Sequence, residues 1–179
     1  MKKKQSWFKY ALGIVICLLF RLIPGRGPNL EPIMATSMPF SKQYGYIAGF
    51  LFPLFSVVLF DLITGMVGIW TLITSIAYGL VGLGAVLFFR RFGGNIRTYF
   101  TYSILGTIAF DALTGLTIGP IFYGQPFIQA FTGQIPFTLM HLLGNSVLSV
   151  TVSPIISKFL VENFALEPKF FLKKVFFFA

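Results

Sequence analysis

Residues 31–44 read EPIMATSMPFSKQY, and whether this stretch crosses a membrane decides the topology of the whole chain. It is mildly apolar and shorter than the ~20 residues that span a ~30 Å hydrocarbon core. Longer apolar runs lie at 7–23, 45–65, 68–89, 98–118 and 134–161. With a cytoplasmic N-terminus and those five spans alone, only Lys2, Lys3, Lys4 and Lys9 stay inside, and ten Lys and Arg face outside. If 31–44 also crosses, Lys42, Arg90, Arg91, Arg97, Lys158, Lys169, Lys173 and Lys174 join them, making twelve of fourteen inside. Basic residues gather on the cytoplasmic side of membrane proteins, so the segment is predicted to cross. Thirteen helical residues rise only ~20 Å. Such a helix must be extended at one end, and it is tolerated where it lines a cavity or is covered by neighbours. Pro32 suits a first helical position, where its missing N–H costs nothing. The expected fold is an all-α membrane protein of six transmembrane helices with a short second helix and both termini cytoplasmic. Residues 1–165 form one transmembrane domain, and 166–179 form a basic aromatic tail.

Composition agrees with that class. Apolar residues make up 56% of the 179, charged residues only 11%, and mean hydropathy is +0.83. Soluble domains carry about 25% charged residues. The single cysteine, Cys17, excludes an internal disulfide and any multi-thiolate metal site. The net charge of +9 falls in inner loops and tails rather than on one exposed face, which argues against nucleic acid as a partner. The tail PKFFLKKVFFFA (168–179) mixes lysines with phenylalanines and reads as a segment lying on the inner leaflet. The basic, apolar N-terminus imitates a secretory signal. Arg21, Arg26 and Glu31 follow it, however, and the only small-x-small site, Ala35 to Ser37, lies too far downstream. No cleavage is expected.

Two of the long runs carry the pattern Phe-Asp-x-x-Thr-Gly near their ends. FDLITG occupies 60–65 and FDALTG occupies 110–115. In the six-helix topology both copies end helices that run outward, so Asp61 and Asp111 lie near the outer surface. One reading is an aspartate near an interface, with Thr and Gly ending a helix. The other is function, the usual meaning of an acid inside a membrane, and the repetition favours it. The same level collects Asn29 and Glu31 from the loop PGRGPNLEP, Trp70 and Thr71 from the turn into helix four, and Tyr123, Gln125, Gln129 and Gln134 from the connection 119–136. Helix six adds Thr138, His141, Asn145 and Ser149, spaced to share one face. Acids, amides, aromatics and the only histidine thus converge on one mouth, the make-up of a small-molecule pocket. The helix-six stripe has a second reading, as hydrogen bonds to a neighbouring helix. His141 has no second His or Cys nearby, so no metal is expected. Ser75, Gly79 and Gly82 read as close-packing positions.

The size, the short helix after GPNLEPIMA, the pair GFLFPLFSVVLFDLITG and GIWTLITSIAYGLVGLGAVLFF, and the last helix IPFTLMHLLGNSVLSVTVSPIISKFL resemble the substrate-binding (S) component of energy-coupling factor (ECF) transporters. The resemblance covers residues 7–162. It implies a vitamin or related micronutrient bound at the outer face of a prokaryotic plasma-membrane protein. It further implies delivery by toppling in the membrane, driven by a transmembrane T component and two ATPases. No Walker motif is present, so ATP hydrolysis falls to those partners. The family pattern Ala-x-x-x-Ala on helix one, where the T component docks, is altered. Here Ala11 is followed four later by Val15, with Gly13 and Cys17 as an offset small pair; these three are the candidate docking residues. The candidate substrate-binding residues are Asn29, Glu31, Asp61, Trp70, Asp111, Tyr123, Gln125, His141 and Asn145.

Two rival classes compete. A rhomboid-type hydrolase needs Gly-x-Ser-Gly with a histidine partner, and LLGNSV lacks the pattern. No enzyme and no cofactor are therefore expected. A stand-alone ion-coupled carrier or channel using Asp61 and Asp111 is the stronger rival, separable by whether tight binding needs a gradient. The acids at the mouth argue against polyanionic substrates and suit a neutral or cationic ring.

Overall fold

The computed structural model describes residues 6–25, 27 and 29–167. Lys2–Lys4 and positions 168–179 of the expected tail lie outside the described residues. Every regular element among those described is helical: α1 (Trp7–Arg21), α2 (Pro32–Tyr44), α3 (Tyr46–Thr64), α4 (Ile69–Phe92), α5 (Ile96–Gly115) and α6 (Phe127–Ile155). A π-helical turn follows α5 at Ile118–Phe122, another extends α6 through Ile156–Val161, and a 3-10 turn closes at Phe164–Leu166. Four stretches are long and apolar enough to cross a membrane: Tyr46–Thr64, Ile69–Phe92, Ile96–Phe122 and Phe127–Val161. α1 and α2, with 15 and 13 residues, are shorter.

Two of the boundaries that differ from the sequence reading have local causes. α1 stops at Arg21, because Pro24 disfavours helix at the residue before it and Gly25 then takes φ +70°. α6 begins at Phe127, not 134, so Gln129 and Gln134 belong to a helix rather than a connection. Pro126 caps its start, and Pro136 lies inside it. Membrane helices tolerate such internal prolines when neighbours re-satisfy the freed backbone groups.

α2 is the central post of the bundle. Eleven of its thirteen residues are buried, and it packs against α1, α3, α4, α5 and α6. Its internal Pro39 cannot donate to the carbonyl of Ala35, four residues back. The hydroxyl of Ser153, from α6, donates to that carbonyl at 2.8 Å instead. Buried polar groups require such partners, which explains why a serine stands at 153 in the dry core.

The α3–α4 seam uses the same chemistry differently. Pro53, inside α3, frees the carbonyl of Gly49, and that oxygen lies directly against Gly82 of α4. Small residues let the two backbones touch. The packing expected at Gly82 is therefore present, and its partner is Gly49.

The helix ends sort by charge. At one end stand Lys9, Lys42, Arg90, Arg91, Arg97 and Lys158. Buried Lys9 donates to the Val161 carbonyl at 3.2 Å, a cation at a helix C-terminus. Lys42 lies 3.6 Å from Glu162. The opposite end gathers Arg21, Glu31, Asp61, Asp111 and His141.

Candidate ligand-binding cavity

A cavity of ≈ 260 Å³ opens at that second end, lined by Arg21, Asn29, Glu31, Val57, Asp61, Trp70, Thr74, Tyr78, Phe110, Phe137 and His141. Its polar groups come from α1, α3, α4 and α6 and from the loop before α2. Arg21, the last residue of α1, forms an ion pair with Glu31 at 3.1 Å. It also donates to the Ser56 carbonyl at 2.7 Å, and its guanidinium lies 3.8 Å from the centre of the Phe60 ring. A planar guanidinium suits this combination of fork and face. Glu31 precedes α2, with Pro32 at the first helical position. Asn29 has φ +60°, a left-handed conformation that asparagine tolerates better than most residues. Its carbonyl rests on Gly144 of α6, where a Cβ would come within 2.5 Å.

The two copies of the repeat behave alike up to a point. Asp61 Oδ2 accepts from Thr71 Oγ1 at 2.6 Å, which ties α3 to α4. Asp111 Oδ1 lies 2.7 Å from His141 Nδ1, which ties α5 to α6. Each aspartate thus reaches across to the next helix of its own hairpin. They diverge at the glycines. Gly65 has φ +71° and its neighbour Met66 donates back to Asp61 O at 2.8 Å, the left-handed helix stop expected from the sequence. Gly115 remains within α5, which ends on Leu116 and a turn. Asp61 lines the cavity; Asp111 does not.

The walls are aromatic. Tyr78 and Phe110 stack with centroids 3.9 Å apart. Phe110 and Phe137 both meet His141 edge-on, at 5.8 and 5.7 Å. Trp70 is 43% exposed at the mouth and its indole donates to Met66 O at 2.9 Å. Offset rings of this kind favour a flat apolar guest.

Of the nine candidate residues, Asn29, Glu31, Asp61, Trp70 and His141 line this cavity. Asp111 stands behind His141. Asn145 lies deeper, donating to Thr107 at 2.8 Å. The next rung joins Ser149 to Ser103 at 3.1 Å. The stripe on α6 is therefore a ladder to α5 with rungs 111/141, 107/145 and 103/149. Only His141 also belongs to the cavity. Tyr123 and Gln125 lie on an exposed turn, away from its walls. A separate, largely apolar groove of ≈ 250 Å³ between α5 and α6 is lined in part by Asp111, Gln134 and Thr138.

Sequence reasoning missed Arg21, Thr74, Tyr78, Phe110 and Phe137. For Arg21 a signal existed. It is one of two basic residues left on the sparse side of the charge count, where an unpaired cation would be out of place. The aromatics carried none, since a buried phenylalanine reads alike in a wall or a core.

On α1, Gly13 and Cys17 face inward. A Cβ on Gly13 would sit 2.5 Å from the Phe40 ring and 3.0 Å from Phe52, and Cys17 is fully buried. Of the three candidate docking residues, Ala11 alone is exposed. Among the described residues, no group of His, Cys, Asp and Glu could hold a metal ion.

Residues 8–160 match the family of the ECF-type riboflavin transporter, S component. The chain belongs to that family. Compared with curated proteins and with solved structures, it matches none. As an ECF S component it is a multi-pass membrane protein of a transport family rather than of an enzyme class. The sequence-level resemblance to S components is thereby borne out.

Proposed function

We propose that this S component binds riboflavin in the cavity between Arg21 and His141, from the outer face of a prokaryotic plasma membrane. In this reading it hands the vitamin inward with a T component and two ATPases. The observation that carries the reading is the cavity itself: stacked aromatic walls and a few placed polar groups at one helix end, in a chain of the riboflavin S-component family. Its ≈ 260 Å³ lies near the lower end of small-molecule pockets, ~300–1,000 Å³. That volume suits a flat ring system, with a polar chain extending into the open mouth. Riboflavin is uncharged, in keeping with an acid-lined site.

Riboflavin added to the purified protein in mild detergent should lose its fluorescence as it stacks against the aromatic wall. Asp61→Ala should weaken binding by about 1–3 kcal/mol, the scale of a buried hydrogen bond to a charged group, with normal yield of folded protein. Unquenched riboflavin, or an Asp61→Ala variant that binds as tightly as the parent, would rule out this cavity as the site.

Orientation has its own test. The twelve-to-two charge asymmetry puts the basic end inside. Cysteine at Arg97 should be shielded from an impermeant thiol reagent on intact cells, and cysteine at the exposed Tyr123 should be labelled. The native Cys17 is buried and should stay silent. Labelling at position 97 from outside would overturn the six-span topology.

A further inference from the structure

We propose that Gly68 is a positioning residue for the vitamin: by lacking a side chain it seats the indole of Trp70 as a preset wall at the cavity mouth, ready to stack on the ring of the guest. This rests on the cavity being the ligand site.

Trp70, Thr74 and Tyr78 all line the cavity. They stand four residues apart on α4 and so share one face. Tyr78 is buried and stacked on Phe110, and packing fixes it. Trp70 has no such enclosure. It lies in the first turn of α4 and is exposed, beside the exposed Met66, Val67 and Ile69. An aromatic side chain in such a place ordinarily samples several rotamers. A guest that has to arrest it binds more weakly for doing so.

Two contacts hold the ring. Its N–H donates to the Met66 carbonyl at 2.9 Å. Its six-membered edge lies against Gly68: the three atoms nearest to a Cβ at position 68 would be Cζ2, Cη2 and Cε2 of Trp70, at 2.5–2.7 Å. Helical side chains lean back over the preceding turn, which brings residue 70 over residue 68. Real Cβ atoms do not approach a neighbour so closely, and an indole cannot bend at its tip. Any side chain at 68 would therefore lift the ring away. The backbone makes no such demand. Gly68 has φ −160° and ψ −171°, extended geometry open to every residue, so the ring and not the turn explains the glycine.

The seat is itself anchored to the site. Gly68 N–H donates to Thr71 Oγ1 at 3.0 Å, and that hydroxyl donates to Asp61 Oδ2 at 2.6 Å. A cavity acid thus fixes, through Thr71 and Gly68, where Trp70 rests. With its N–H committed to Met66, the indole offers a guest its π face, which suits a flavin ring.

Trp7 and Trp70 are the only tryptophans, so Trp7→Phe leaves Trp70 as the sole indole reporter. In ligand-free protein in mild detergent, the time-resolved anisotropy of that indole should decay only with tumbling of the whole particle. Gly68→Ala should add a fast component, on the picosecond-to-nanosecond scale of exposed side chains. An indole already free on that scale in the parent, or one left equally still by Gly68→Ala, overturns the proposal. Riboflavin affinity, read from quenching of flavin fluorescence, should fall about three- to tenfold in Gly68→Ala, the scale of one side chain that must be ordered on binding. Trp70→Ala should lose at least as much. Adding Gly68→Ala to Trp70→Ala should lose nothing further, because the new methyl then meets no ring. An equal loss in that background would mean that alanine acts through the turn, and would overturn the proposal, as would full affinity in either single variant. If the parent binds no riboflavin, the proposed function fails, and the anisotropy of the empty protein still decides whether Gly68 seats the ring.

Discussion

Leucine in place of Gly82 is expected to abolish the folded protein. The α3–α4 seam brings Gly82 against the backbone carbonyl of Gly49, and even a Cβ at position 82 would overlap that oxygen. Overpacking costs ~1–3 kcal/mol where side chains can adjust. Here the obstacle is backbone, and Pro53 lies just beyond it, 3.0 Å from the same Cβ position. To make room, α3 and α4 would have to separate along their length, which also parts Asp61 from Thr71. Gly133→Leu is the control, because position 133 is exposed and a Cβ there meets nothing within 4 Å. Size-exclusion profiles in mild detergent should show a monodisperse peak for Gly133→Leu and aggregate or no protein for Gly82→Leu. A well-behaved Gly82→Leu protein would mean the seam is looser than this packing requires.

Tryptophan at Ala11 should do the reverse, leaving riboflavin affinity unchanged while uptake in cells falls to background. Ala11 is exposed on α1, within a face that also carries Trp7, Phe8, Val15 and Leu19. Lipid supplies no hydrophobic force between helices, so close approach at a small residue is what a partner helix would exploit. A bulky ring there bars the partner and touches nothing inside. Gly13→Trp tells the two flanks apart, since the Phe40 and Phe52 rings already fill that space; it should fail to fold. Uptake by Ala11→Trp at the parent rate would move the docking surface elsewhere. Uptake by the parent in cells lacking any ATPase module would overturn the proposed energy source.

What could be read from the sequence follows from how local each signal is. That 31–44 forms a helix came through charge arithmetic, because Lys42, Arg90, Arg91 and Arg97 join Lys9 on one side only if this segment crosses. Asp61, Glu31, Trp70 and Asn29 could be placed together because each lies at or near a helix end, and ends of antiparallel helices meet. His141 could be placed by its spacing on α6. The partners could not. The same Phe-Asp-x-x-Thr-Gly pattern gives Asp61 a threonine ten residues on and Asp111 a histidine thirty residues on, and only one of the two aspartates reaches the cavity. The start of α6 was hidden because GQPFIQAFTGQIP has the glycines, prolines and amides of a loop. Pro136 would break most soluble helices but sits within this one. Arg21 was counted as a charge when its guanidinium fork and face were the informative features.

The enclosure of α2 bears on how the chain is made. With Thr36, Ser37, Ser41, Lys42 and Gln43 among its thirteen residues, this segment has too little affinity for lipid to be released into a bilayer on hydropathy alone. Four of the five helices that surround it are synthesised after it. The ribosome therefore produces the post before the walls, and the position of 31–44 is expected to become final only when α6 arrives and Ser153 reaches Ala35. Biogenesis should accordingly pass through a stage in which the first third of the chain is provisional. Nascent chains truncated before Phe127 and carrying a glycosylation reporter after Tyr44 should distribute between both sides of the membrane, and full-length chains should not. A truncated chain already fixed to one side would show that α2 inserts without its enclosure.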